Sequence, residues 1–238
     1  MEFSDNILLL GISWYVVFLF SLTAHEAAHA WAALRLGDPT AYHGGQVTLN
    51  PLPHMQRAFF GTVLMPIVSF VWSGGGWMMG WASAPYDPQW AYRYPKRAAW
   101  MALAGPLANL AIALGAAVAM RVCLAAGLLQ LPTEDLSFVA LMAPTEATWT
   151  TGLAVTLSIA FSLNILLFLF NLLPVPPLDG SAVLQLFLPE AMGRRYQEFM
   201  SQPMLSLIGL LAAWRVFGAV FGPIYWFLVV HGLFLGIL

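Results

Sequence analysis

Two histidines and a glutamate stand at helical spacing in an apolar stretch near the start of the chain, as His25-Glu26-Ala27-Ala28-His29. The Ala, Leu and Trp residues around them, Ser21 to Leu36, favour a helix. On a helix, positions four apart share a face, so both imidazoles can hold one metal ion. Glu26 projects beside them, where a carboxylate can orient and deprotonate a water. That spacing occurs by chance elsewhere; its setting sharpens it. Ile7 to Leu22 is almost wholly apolar, and ionisable groups that continue a membrane helix are rare and usually functional. Two histidines need a third ligand, and Asp179 is of the right type. It is an isolated carboxylate after Pro174-Val175-Pro176-Pro177-Leu178, at the mouth of a short helix expected over Ser181 to Leu188. Capping that helix is its bland role; joining His25 and His29 on a metal is the reading favoured here.

The elements that must position these residues belong to a membrane protein. Of 238 residues, 60% are hydrophobic and 8% charged, where a soluble domain carries roughly a quarter charged residues. The net charge of -2 and the lack of a basic patch exclude a nucleic-acid partner. The single Cys123 excludes an intrachain disulfide and a Cys-based metal site. Met1 to Asn6 has Glu2 and Asp5 but no Lys or Arg, so no cleavable leader is expected, and the N-terminus is expected outside.

A first helix is predicted over Ile7 to Leu36, stopped by Gly37-Asp38-Pro39. Gln46-Val47-Thr48-Leu49 alternates and follows Gly44-Gly45, which predicts a short strand or hairpin beside the site. His54 is read as an interface or hydrogen-bonding histidine, or else a ligand. Phe59 to Trp81 is long enough to span, but Pro66 and Gly74-Gly75-Gly76 break it. Arg35 and Arg57 before it, and Arg93, Lys96 and Arg97 after it, all favour the cytoplasmic side. The segment should therefore enter and return. A second long helix runs from Ala98 to about Leu129, interrupted near its start by Gly105-Pro106, with Asn109 one turn later, either as a helix-helix contact or facing substrate. Leu131 to Thr150 forms an outer loop with Glu134, Asp135 and Glu146, and Thr151 to Leu173 returns the chain. After an amphiphilic surface segment, Pro203 to Leu238 is expected to form a hairpin of two tight spans, broken near Gly218. The expected whole is one unit over residues 1–238, with its core at 7–188: an all-α polytopic membrane protein with a small β element and a re-entrant element near the site.

Four stretches, HEAAHAWAALRLGD, GQVTLNPLPH, ALAGPLANL and NLLPVPPLDGS, together resemble the site-2 protease family of intramembrane zinc metalloproteases. The resemblance implies one zinc ion on His25, His29 and Asp179, with Glu26 as catalytic base. It implies that Asn171 holds substrate or stabilises the intermediate, and that His54 belongs to an NPL-x-H segment. It further implies transmembrane protein substrates and a site near the cytoplasmic face of a lipid bilayer, here that of a bacterial inner membrane. The match is to the compact branch without PDZ or regulatory domain. One departure falls at Gly80 to Pro88, where relatives carry a Lys and further prolines that this chain lacks. Gln46, Val47, Thr48 and Leu49 could pair with an unwound substrate segment, with His54 and Asn109 as further candidate contacts. Two other classes compete: a metal or proton transporter, and a catalytically silent scaffold of the same fold. Clustering of the charged groups at one depth disfavours the first, and the presence of Glu26 the second.

Overall fold

The computed structural model of the protein describes residues 7–133, 135–145 and 148–234. Glu2, Asp5, Glu134 and Glu146 lie outside them. Helix α1 spans Ile7–Leu36, the stretch that its apolar run predicts. Gly37 ends it at φ 105°, a conformation that glycine takes without a Cβ clash. Two short helices follow, α2 over Thr40–His43 and α3 over Pro51–Arg57.

The expected strand over Gln46 to Leu49 does not form. The alternation is present, but no neighbouring strand offers a ladder, and local bonds take the backbone groups instead. Gln46 N donates to Ala41 O, the Thr48 hydroxyl accepts from Asn50 N, and the Asn50 side chain caps α3 at Leu52 N. The sheet among the described residues is an antiparallel pair, β1 (Leu129–Gln130) and β2 (Ala143–Pro144). It lies in the outer loop rather than beside the histidines.

The entering and returning element is present. A π turn, Phe60–Leu64, leads into α4, Met65–Trp72, and this helix is bent by 112° from α3. Gly74 and Gly75 turn the chain at φ 64° and 89°. Residues 77–87 then come back without regular secondary structure along α4 and α1. Trp81 N donates to Gly61 O at 3.1 Å, and the Ser69 hydroxyl accepts from Met79 N at 2.9 Å. The approach is so close that a Cβ on Gly61 would collide with the Trp81 carbonyl, and one on Gly80 with the Gly61 carbonyl and Phe18.

Helix α5 (Pro88–Arg93) turns into α6, Pro95–Ala125, which begins three residues ahead of the expected start and runs unbroken through Gly105-Pro106. Helix α7, Thr148–Asn171, completes a trio with α1 and α6. Trp14, Val17, Phe18 and Leu22 of α1 pack with Met78, Val155, Ile159 and Leu163. The alanines of α6, among them Ala113, Ala116 and Ala117, let α7 come close over a second cluster with Phe161 and Ile165. Past the proline turn, α8 (Asp179–Val183) continues as a 3-10 turn, Leu184–Phe187, and α9 (Glu190–Met200) lies as an amphiphilic surface helix.

The expected C-terminal hairpin is corrected. Helix α10, Pro203–Phe227, is continuous and is prolonged by a π turn, Leu228–Phe234. Gly218 sits inside it without breaking it, since a glycine weakens a helix by only about 1 kcal/mol and apolar packing at Ala213 and Tyr225 supplies more. With α1, α6 and α7 it makes four helices long and apolar enough to cross a membrane.

Candidate metal centre

Helix α1 brings His25 and His29 onto one face, one turn apart and both buried. Each ring has its Nδ1 occupied. His25 Nδ1 bonds the Asn109 Oδ1 atom of α6 at 2.6 Å, and His29 Nδ1 the Met101 carbonyl at 2.8 Å. Both acceptors fix the Nδ1-H tautomer, which leaves both Nε2 lone pairs pointing inward. The two Nε2 atoms lie 2.9 Å apart, and Asp179 Oδ2 is 3.2 Å from the first and 3.4 Å from the second. A tetrahedral zinc with nitrogen ligands about 2.0–2.1 Å away sets those ligands roughly 3.3 Å apart. The three donors thus already stand at ligand spacing.

Two further observations test the fit of a metal. Gly105 of α6 faces the centre, and a Cβ there would strike Nε2 of both histidines. The protein keeps that space free of side chain at the point where the ligands converge. Glu26 is 4% exposed and its Oε2 has no hydrogen-bond partner among the described residues. A buried carboxylate left so is costly unless something polar meets it. The donor set and the vacant volume suit a zinc-sized cation.

Asp179 is held by a turn with no room to spare. A Cβ on Gly180 would collide with the carbonyls of Leu172 and Leu173 at the end of α7. Gly209 of α10 presses in the same way on the Pro176 carbonyl, so the last span backs the loop that carries the third donor.

A cavity of about 230 Å³ opens on this cluster, lined by His25, Glu26, His29, Met101, Asn171 and Asp179, and walled by Ala82 to Tyr86. Asn171 closes α7 there, its Nδ2 donating to Leu167 O at 3.0 Å. The remaining sequence candidates do not line the cavity. Asn109 is fully buried behind His25, with its Nδ2 on Asn164 Oδ1 at 2.8 Å, so it faces no substrate. His54 holds the Thr48 carbonyl at 3.1 Å. Gln46 is buried, and Val47, Thr48 and Leu49 run in the bent loop outside.

Sequence reasoning missed two contributors. Asn164 joins Asn109, the Ser21 hydroxyl at 2.8 Å and the Ala160 carbonyl at 2.8 Å in one buried network tying α1, α6 and α7 together. Its signal was an amide within an apolar helix. The returning segment was visible only as a departure at Gly80 to Pro88. Here it lies as a wall of irregular backbone, pinned where Arg57 Nε donates to Ser83 O at 3.0 Å and Asp87 N to the buried Asp38 carboxylate at 2.8 Å. Around these pins, the backbones of Ala82, Ala84 and Tyr86 have no hydrogen-bond partner among the described residues.

Four apolar helices around a His, His, Asp cluster with a buried glutamate define an integral membrane protein with a metallohydrolase-like centre. The chain belongs to peptidase family M50, whose model matches residues 13–214. It is 34% identical to YwhC of Bacillus subtilis over 175 residues, 73% of this chain and 68% of that protein. It is 29% identical to Rip2 of Mycobacterium tuberculosis over 214 residues, 90% of this chain and 72% of the relative. Both are named as candidate zinc metalloproteases. No solved structure matches the chain.

Proposed function

We propose that the protein is an intramembrane zinc endopeptidase, with His25, His29 and Asp179 holding one zinc ion and Glu26 as its base. The observation that carries this reading is Glu26, buried, with its Oε2 unpartnered among the described residues, beside three donors at ligand spacing. Zinc binding by itself has no use for that carboxylate, and neither does a scaffold. When bound, zinc supplies Lewis acidity toward a peptide carbonyl and a water.

The chain's own groups do the rest. Glu26 takes a proton from the attacking water and returns it to the departing amine nitrogen. Asn171, at the rim, offers its free amide N–H to the carbonyl oxygen as charge gathers there. Asn109 and the Met101 carbonyl keep the imidazoles oriented throughout. A helix hides its carbonyls, so a transmembrane substrate must unwind to be cut. The wall at Ala82 to Tyr86 offers unpaired backbone along which an unwound segment can lie as an added strand. This role passes to it from Gln46 to Leu49. We place the site toward the cytoplasm of a bacterial inner membrane, since Arg57 bonds Ser83 of the cavity wall and Arg97 bonds the Leu36 carbonyl, at the end of α1 that carries the histidines.

The test is Glu26→Gln, which keeps size and loses the base. Purified variant should retain zinc while cleavage of single-pass membrane proteins falls about 100-fold or more. Cleavage near the wild-type rate would sink the mechanism and return the metal-transport reading.

A further inference from the structure

Helix α10 carries a charge that no other described residue answers. Arg215 is exposed in an otherwise apolar span, twelve residues into the helix from Pro203, which itself follows the charged surface helix α9. Twelve residues are roughly 18 Å of helix, against a hydrocarbon half-thickness of about 15 Å. The guanidinium thus emerges near mid-depth. It has no hydrogen-bond, ionic or aromatic partner among the described residues. The arginine near the far end of α6 behaves differently: Arg121 donates to the Gly232 carbonyl at 3.3 Å.

Successive residues are about 100° apart around a helix. On that wheel Arg215 points away from Ala213, Phe217 and Phe221, which pack inward, Phe217 against Phe170 of α7 and against Phe221. Gly218 and Gly222 share its outward face, and a Cβ added at either would meet nothing. Arginine exposed to hydrocarbon disfavours the span by about 2.5 kcal/mol or more. Small residues one turn away allow another backbone to come close.

We propose that this face of α10 docks a transmembrane helix of another membrane protein, one that carries a carboxylate near mid-depth to pair with Arg215. A second copy of this chain does not meet the requirement. Helices α6, α7 and α10 contain no Asp or Glu, and the one acid of α1, Glu26, is buried. The charge selects the partner, and Gly218 and Gly222 set the distance. The docked helix lies on the opposite flank of α10 from Gly209, which backs the proline loop. The proposal needs only that α10 spans a membrane, so it stands whether or not the protein is a peptidase.

The probe is a synthetic Leu/Ala transmembrane peptide with a single Glu at its centre, and a twin with Gln there. Each is labelled for energy transfer to the full-length protein in zwitterionic lipid vesicles. Wild-type protein should associate at least about tenfold more tightly with the Glu peptide, a difference of roughly 1.4 kcal/mol. Arg215→Leu should abolish that preference and Arg215→Lys keep most of it. Gly218→Leu with Gly222→Leu should weaken binding of both peptides while the preference survives. Zinc content and thermal unfolding report whether each variant is folded. Equal association of the two peptides with wild-type protein, or an undiminished preference in folded Arg215→Leu, would overturn the proposal.

Discussion

Adding one methyl at Gly105 places it where the two Nε2 atoms converge. Gly105→Ala is therefore expected to lower zinc content from about one ion per chain to a small fraction of that, by elemental analysis, without loss of helicity. Asn109→Ala tests orientation instead of space. It removes the acceptor of His25 Nδ1 from a fully buried position, and zinc affinity should fall about 10- to 100-fold in chelator competition. Unchanged affinity would reduce Asn109 to packing. His25, Glu26, His29 and Asp179 were legible because such residue types are conspicuous in apolar sequence. The partner of His25 was not, because a tautomer-fixing contact between residues 84 apart leaves no trace in local spacing. Gly105 read as a flaw in a helix, whereas its lack of a side chain is its contribution.

Among the elements, the returning segment depends on backbone contact with its own inbound limb. Gly61→Val should push the Trp81 carbonyl away and shift the wall at Ala82 to Tyr86. Peptidase activity should drop by an order of magnitude or more while zinc content, set by the proposed ligands on α1 and the α8 turn, stays unchanged. Equal activity would show that the wall takes no part in holding substrate. That this segment enters and returns was readable from its glycines and flanking charges. Its place on the cavity was not, since Ala82, Ser83, Ala84 and Pro85 have little side-chain chemistry to mark them in a sequence. Gln46 to Leu49 misled in the opposite sense: alternation marks a strand only where a second strand exists to pair with it. In α10, glycines that read as a break are tolerated because neighbouring aromatics hold the helix on α7.

For the molecule as a whole, His29 and Asp179 can meet only if they leave the membrane on one side. Helices α6 and α7 take the chain across and back, so the element between α1 and α6 must count as no crossing. A net crossing there would set the two ligands apart by about 30 Å of hydrocarbon. Single cysteines at Gln89 and Thr133, in a Cys123→Ser background, read this directly. With a membrane-impermeant thiol reagent, intact cells should label position 133 and spare position 89; labelling at 89 would refute the arrangement. Charge placement and ligand geometry lead to the same topology by independent routes, and for that reason the sequence alone could approach it.

The unpaired main chain of Ala82, Ala84 and Tyr86 has a consequence for hydration. Hydrocarbon cannot satisfy an amide N–H or a carbonyl, so irregular backbone at membrane depth persists only where it is enclosed or wet. These groups border an open cavity rather than a sealed interior, and between substrates water must solvate them. The row of dipoles that waits for a strand is then also a wick, leading water from the aqueous side to Glu26. On the proposed function, a peptide that paired with the wall would displace most of that water, and what stayed beside the glutamate would be the second reactant of the hydrolysis.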